Sequence, residues 1–196
     1  MRLIKNTFLT LISLAILPIS ADELSDSIAE ISCQNGDSQS CVYLVNQMYK
    51  QNNNDDAKKW LEIAAKQNMP FAYTGLGLMY EEGRGVEKNE MRAKQLYEQA
   101  ANFNDADAQY NLGTMYSDSD TITNDYELAR QWYEKAAEQN HIHANIALAF
   151  LYLEGRGVEP NPEKARSYLA HVCDIKKADN IQACVDEMLG KMNSEK

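Results

Sequence analysis

Four cysteines and three histidines are the side chains of this 196-residue chain best equipped to bond one another, hold a metal or move a proton. The thiols stand at Cys33, Cys41, Cys173 and Cys184, and four thiols allow three disulfide pairings. Thiol-disulfide catalysis wants Cys-x-x-Cys, and a metal wants closer thiols with histidines beside them. Neither spacing occurs. His141 and His143 flank Ile142, whereas His171 lies well downstream, so solvated turn histidines are the better reading than a zinc site. Asp118-Ser-Asp120 begins like a calcium loop but lacks the Gly at the sixth position and the Glu at the twelfth, which leaves a plain acidic turn. No metal and no cofactor is expected.

The elements that position these groups follow from composition and pattern. With 44% apolar and 24% charged residues the chain can bury a core of one domain. Only 4 Pro and 9 Gly punctuate it, which favours helices over a turn-rich sandwich. Against 29 Asp and Glu there are 19 Lys and Arg, a net charge of −10. Nucleic-acid binding needs clustered cations, so that class is excluded. Residues 1–21 read as a cleavable export signal: basic Arg2 and Lys5, an apolar run from Phe8 to Leu17, then Pro18-Ile-Ser-Ala21. The run is too short to span a bilayer, and no Cys stands at the first mature position to take a lipid, so no stable membrane anchor is expected. Cleavage leaves 17 basic against 29 acidic side chains, net −12.

From there a 36-residue period organises the chain. Ala64-Ala65 recurs as Ala100-Ala101 and Ala136-Ala137. Ala72, Leu76, Gly77 and Tyr80 recur as Ala108, Leu112, Gly113 and Tyr116, then as Ala144, Leu148, Ala149 and Tyr152, while Ala57 recurs as Ala93, Ala129 and Ala165. The spacing within each unit is helical. Between the two helices of a unit lies Glu82-Gly-Arg-Gly-Val86, repeated as Glu154-Gly-Arg-Gly-Val158, and Asn89 and Asn161 read as N-caps, the latter followed by Pro162. The first unit has lost five residues and turns through Asn52 to Asp56; the third replaces the glycines with Ser117 to Ile122. About ten helices and no strand are expected: a cap over 22–37 whose helix runs from Asp22 to Cys33, repeats over 38–69, 70–105, 106–141 and 142–177, and a cap over 178–192 whose helix runs from Ala178 to Lys191. Tyr80, Tyr116, Tyr152, Trp60 and Tyr133 read as core.

These motifs, Ala72-x-x-x-Leu-Gly77-x-x-Tyr80-x-x-Gly-x-Gly-Val86 followed by Ala93-x-x-Leu-Tyr-x-x-Ala-Ala101, resemble the Sel-1-like repeat, a relative of the tetratricopeptide repeat. The resemblance runs from about Cys33 to Met188. It implies a right-handed all-α solenoid whose first helices line a concave, protein-binding surface. By that likeness the groove positions are Tyr43 and Gln47, Thr74 and Leu78, Tyr110 and Thr114, and Ile146 and Phe150, although Ile146 and Phe150 read equally well as packing on the C-terminal cap.

The register pairs Cys33 with Cys41 and Cys173 with Cys184, each joining the end of one helix to the start of the next, and the first spacing resembles the cysteine-rich secreted branch of the family. The expected role is a non-enzymatic periplasmic scaffold, or a secreted one, whose partner is another protein or peptide. Resemblance to exported members offers two alternatives, an immunity protein that blocks a secreted antibacterial effector such as a phospholipase, and a β-lactam-binding protein or weak β-lactamase. For the last, the Ser-x-x-Lys and Lys-Thr-Gly strings of serine enzymes are both missing.

Overall fold

The computed structural model describes residues 20–119 and 124–194. The export signal therefore lies outside the described residues up to position 19, as does the middle of the third unit's acidic loop. Ten helices and no strand occur among the described residues: α1 Ala21–Gln34, α2 Ser38–Lys50, α3 Asn54–Lys66, α4 Pro70–Glu82, α5 Glu90–Asn102, α6 Ala106–Ser117, α7 Tyr126–Glu138, α8 Ile142–Glu154, α9 Pro162–Ile175 and α10 Ile181–Ser194. Each packs mainly on its chain neighbours. α2–α3, α4–α5, α6–α7 and α8–α9 are four hairpins, with α1 and α10 covering the two ends. None of these helices is long and apolar enough to cross a membrane.

Short polar side chains start most of the helices; α4 instead follows Met69 with Pro70 in its first turn and no side-chain cap. Asn89 Oδ1 accepts from the Arg92 amide at 2.9 Å, and Asn161 Oδ1 accepts from Lys164 at 2.9 Å with Pro162 in the first turn. Asp105 and Asp125 do the same for α6 and α7. Each such cap satisfies an amide that the helix cannot, worth about 1 kcal/mol. The ends use left-handed residues. Gly83 and Gly155 have φ of 72° and 70°, while Asn68, Asn104 and Asn140 take φ of 56° to 64°. Those asparagines recur at the 36-residue period, and their amide oxygens accept from Tyr73, from Gln109 and Gln139, and meet His171. The same residue thus closes a helix and ties it to its surroundings.

The periodic small residues are the core. Ala57, Ala93, Ala129 and Ala165 are wholly buried, as are Ala72, Ala108 and Ala144. Helices meet closely where Gly faces Tyr. A Cβ on Gly77 would lie 2.5 Å from the Tyr97 ring, and one on Gly113 would lie 2.5 Å from that of Tyr133. In the last hairpin the corresponding residues are Ala149 and Leu169, both fully buried in one cluster. The larger small residue answers the smaller large one, which keeps the filled volume constant. Among the tyrosine and tryptophan columns, Trp60, Tyr133 and Tyr152 are buried and Tyr80 and Tyr116 are half-buried.

Three details differ from the sequence reading. The first hairpin turns through 51–53 and α3 already begins at Asn54, because Asn53 caps it by accepting from the Asp56 amide at 3.2 Å. α10 begins at Ile181, because Lys177 is left-handed at φ 53° and Asn180 accepts from the Ala183 amide at 3.0 Å. His141 is not a solvated turn residue: its side chain is 14% exposed, and Nδ1 caps α8 by accepting from the Ala144 amide at 3.2 Å.

Tyr97 gives the fold a defined weakness to alkali. Its hydroxyl donates to Glu81 Oε2 at 2.6 Å, and burial, followed by this carboxylate, pushes its ionisation far above the ordinary value of 10.0. Burial raises Tyr133 as well. The unfolded chain releases these protons first, so stability is full below pH 10 and declines as pH rises beyond it. Absorbance at 295 nm during alkaline titration should show these phenols ionising only together with loss of the helical signal, and Tyr97→Phe should delay that loss.

Candidate protein-binding face

α2, α4, α6 and α8 are the first helices of the hairpins, and α2, α4 and the start of α6 come together on one side of the stack. A cleft of about 200 Å³ opens there between α2 and α4 and against the start of α6. Val42 and Asn46 form one wall, Phe71, Thr74 and Leu78 the other, and Asp105 and Asp107 close the end. Gly75 also lines it. The corresponding residues of later hairpins are Asn111 and Ala147, whereas at Gly75 a Cβ would lie 2.7 Å from Leu61 Cδ2, so the cleft floor reaches the α3 side chain. Val42 is 37% exposed, and Asn46 and Asp107 are exposed as well. An apolar floor beside two carboxylates can take up an aliphatic or aromatic side chain with a cationic or amide neighbour.

The positions read from the sequence divide between this cleft and the packing. Thr74 and Leu78 line the cleft, with Thr74 6% exposed and its hydroxyl donating to Asp105 Oδ1 at 3.0 Å. Tyr43 turns to the N-terminal cap, donating to Asp26 Oδ1 at 3.0 Å, and Gln47 is half-buried. Tyr110 stacks on His141 at 4.8 Å and contacts Tyr133 and His143. Thr114 Oγ1 donates to the Tyr110 carbonyl and accepts from the Tyr133 hydroxyl. Ile146 and Phe150 pack into the C-terminal cluster with Cys184, Met188 and Leu189. Val42, Asn46, Phe71, Gly75 and Asp107 went unread in the sequence. The signal for the cleft was a single Gly in a column that elsewhere carries Leu44, Asn111 and Ala147.

A larger cavity of about 430 Å³ lies by the second helices α7 and α9, lined by Glu134, Glu138, Asn145, Ser167, Tyr168 and His171. Its Glu134 is paired with Arg130 at 2.6 Å, and its His171 Nε2 lies 2.9 Å from Asn140 Oδ1. His141 Nε2, by contrast, faces Asp107 Oδ1 at 3.1 Å. The rings of His141 and His143 lie 5.9 Å apart while His171 meets Asn140, and no group of three His, Cys, Asp or Glu able to hold a metal occurs among the described residues. All four thiols are bonded: Cys33 to Cys41 with Cα atoms 4.7 Å apart, and Cys173 to Cys184 at 6.1 Å. Such bonds belong to an oxidising compartment.

A stack of helical hairpins in which each helix packs mainly on its chain neighbours defines a helical-repeat solenoid. The chain belongs to the Sel1 repeat family, whose model matches residues 46–69, 70–102, 106–141 and 142–170, more than half its length. Proteins of this family serve generally as non-catalytic interaction scaffolds. Among solved structures it is similar to a Sel1 repeat protein from Oxalobacter formigenes, at 34% identity and a TM-score of 0.63 over 68% of this chain and 53% of that one. It is also similar to c5321, a protective antigen present in uropathogenic Escherichia coli strains with an SLR fold, at 25% identity and a TM-score of 0.68 over 85% of this chain and 36% of that one. The chain thus spans about half the length of the first and about a third of the second. No curated protein matches it.

Proposed function

We propose that this chain is an exported, non-enzymatic scaffold of the periplasm, working as a domain over 22–196 after loss of its leader, and that its first-helix face holds a segment of another protein. The observation that carries this reading is the cleft at Gly75, an apolar recess ending on Asp105 and Asp107 on the face by which helical-hairpin repeats take extended segments or helices. The two disulfides and the tripartite leader support the compartment.

The test is a comparison of the parent protein with Val42→Arg/Asn46→Arg as bait in periplasmic extract of the source cells. Both side chains are exposed, so the changes fill the cleft without entering the core. A partner held by the parent and lost by the variant, at an unchanged melting temperature, is the expected result. Equal recovery refutes the cleft, and hydrolysis of nitrocefin by the pure protein refutes the non-enzymatic role.

A further inference from the structure

Helix α1 is amphipathic the wrong way round for a cap. Its only buried side chains among those described are Ala29 and Cys33, while Leu24, Ile28 and Ile31 are 52%, 56% and 61% exposed. Residues at i, i+4 and i+7 lie on one face of a helix, and at 100° per residue that face points directly away from Ala29 and Cys33. The rotation is pinned. Cys33 is bonded to Cys41, its carbonyl accepts from Gln67 Nε2 at 2.9 Å, and Asp26 accepts from Tyr43 on the same inner side. The terminal turn of a solenoid normally shows water a polar face. Here three aliphatic side chains stand in that place.

The charge around the stripe selects its occupant. Glu23 and Glu30 run along one flank and Ser25 and Ser32 along the other, and α1 has no Lys or Arg. A second copy would set this acidic helix against itself without a cation, within a chain of net charge −10. An anionic lipid surface is repelled in the same way. We infer that the outer face of α1 docks an amphipathic helix of a partner protein, with an aliphatic stripe against Leu24, Ile28 and Ile31 and a Lys or Arg flank against Glu23 and Glu30. This surface lies on the cap helix, apart from the cleft between α2 and α4, so the two sites fail separately.

The probe is a fluorescent synthetic helical peptide with Leu along one stripe and Lys beside it, measured by anisotropy against the purified oxidised protein. A Glu-for-Lys twin and a scrambled-order peptide serve as controls. The Lys peptide alone should bind. Ile28→Gln/Ile31→Gln, which leaves every charge in place, should weaken it about tenfold or more. Glu23→Gln/Glu30→Gln should weaken it and flatten its salt dependence, while Val42→Ser in the cleft should leave it unchanged. All four side chains changed on α1 are exposed, so the melting curve should stay within a few degrees of the parent's. Equal binding by the Ile28/Ile31 variant would overturn the inference. So would a concentration-dependent dimer that this variant abolishes, which gives the stripe to a second copy, or stripe-dependent binding to anionic vesicles instead of the peptide.

Discussion

Gly157→Ala should lower stability by about 3 kcal/mol and the melting temperature by roughly 6 to 12 °C. Gly157 sits at φ 66°, where a Cβ costs about 1 kcal/mol by itself. The larger part is steric. That Cβ would lie 2.6 Å from the Tyr126 carbonyl carbon and 2.8 Å from the Glu127 amide nitrogen, both backbone atoms of the first turn of α7. Nothing there can rotate aside, so the loop of the fourth hairpin must lift off the third. Gly85 holds the same place in the second hairpin, with φ 67°, but its Cβ would meet the Asn54 Cβ at 2.8 Å and the nearest backbone carbon at 3.5 Å. Gly85→Ala should therefore cost visibly less, although the two loops share one motif. Gly190, with nothing within 4 Å of its would-be Cβ, is the control: Gly190→Ala should stabilise α10 by about 0.5 to 1 kcal/mol. Thermal melts followed by circular dichroism rank the three. Equal melting of Gly157→Ala and Gly85→Ala would show that the glycines serve only their own turns and do not couple hairpins.

Cys33→Ser/Cys41→Ser should release α1 while the rest of the stack stays folded. A cross-link closing so short a loop contributes about 2 to 3 kcal/mol, and α1 has little else: two buried side chains, the Tyr43 to Asp26 hydrogen bond and the Gln67 contact. The expected readouts are loss of helical signal equivalent to the 14 residues of α1 and fast amide exchange confined to it. The opposite end should behave differently. α10 buries Val185 and Met192 and packs Met188 and Leu189 against the last hairpin, so Cys173→Ser/Cys184→Ser should loosen α10 without freeing it. Repeat proteins couple only to neighbours, which is why each loss stays at its own end. If α1 remains protected from exchange without its disulfide, the stripe of Leu24, Ile28 and Ile31 has found an inward packing, and the same measurement would reveal it.

Much of this architecture was legible before any coordinates. The 36-residue spacing of Ala64, Ala100 and Ala136 fixes hairpin length, because each Ala must return to the same helix crossing. The pairing of Cys33 with Cys41 and Cys173 with Cys184 followed from the same register, since equivalent columns at the two ends occupy equivalent places. Asn89 and Asn161 announced helix starts through local chemistry, a side-chain oxygen meeting an amide three residues on. The misread features are those where one repeat stops resembling the next. His141 stands where the preceding hairpin has Asp105, and its imidazole takes over the capping bond that the carboxylate makes there. Tyr43 and Thr74 share a column, yet one reaches back to α1 and the other forward to α6.

The sequence by itself determined the helices, their pairing, the small-residue core and the disulfides, because all of these depend on a side chain's own spacing along the chain and on contacts that every repeat makes alike. The tertiary structure decided which surfaces remain open: the cleft between α2 and α4 that Gly75 and Leu61 line, and the outward turn of Leu24, Ile28 and Ile31 enforced by Cys33 and Gln67. A periodic pattern encodes the average neighbour. An open surface arises where a neighbour is smaller than average or missing, and that is known only once the hairpins are stacked.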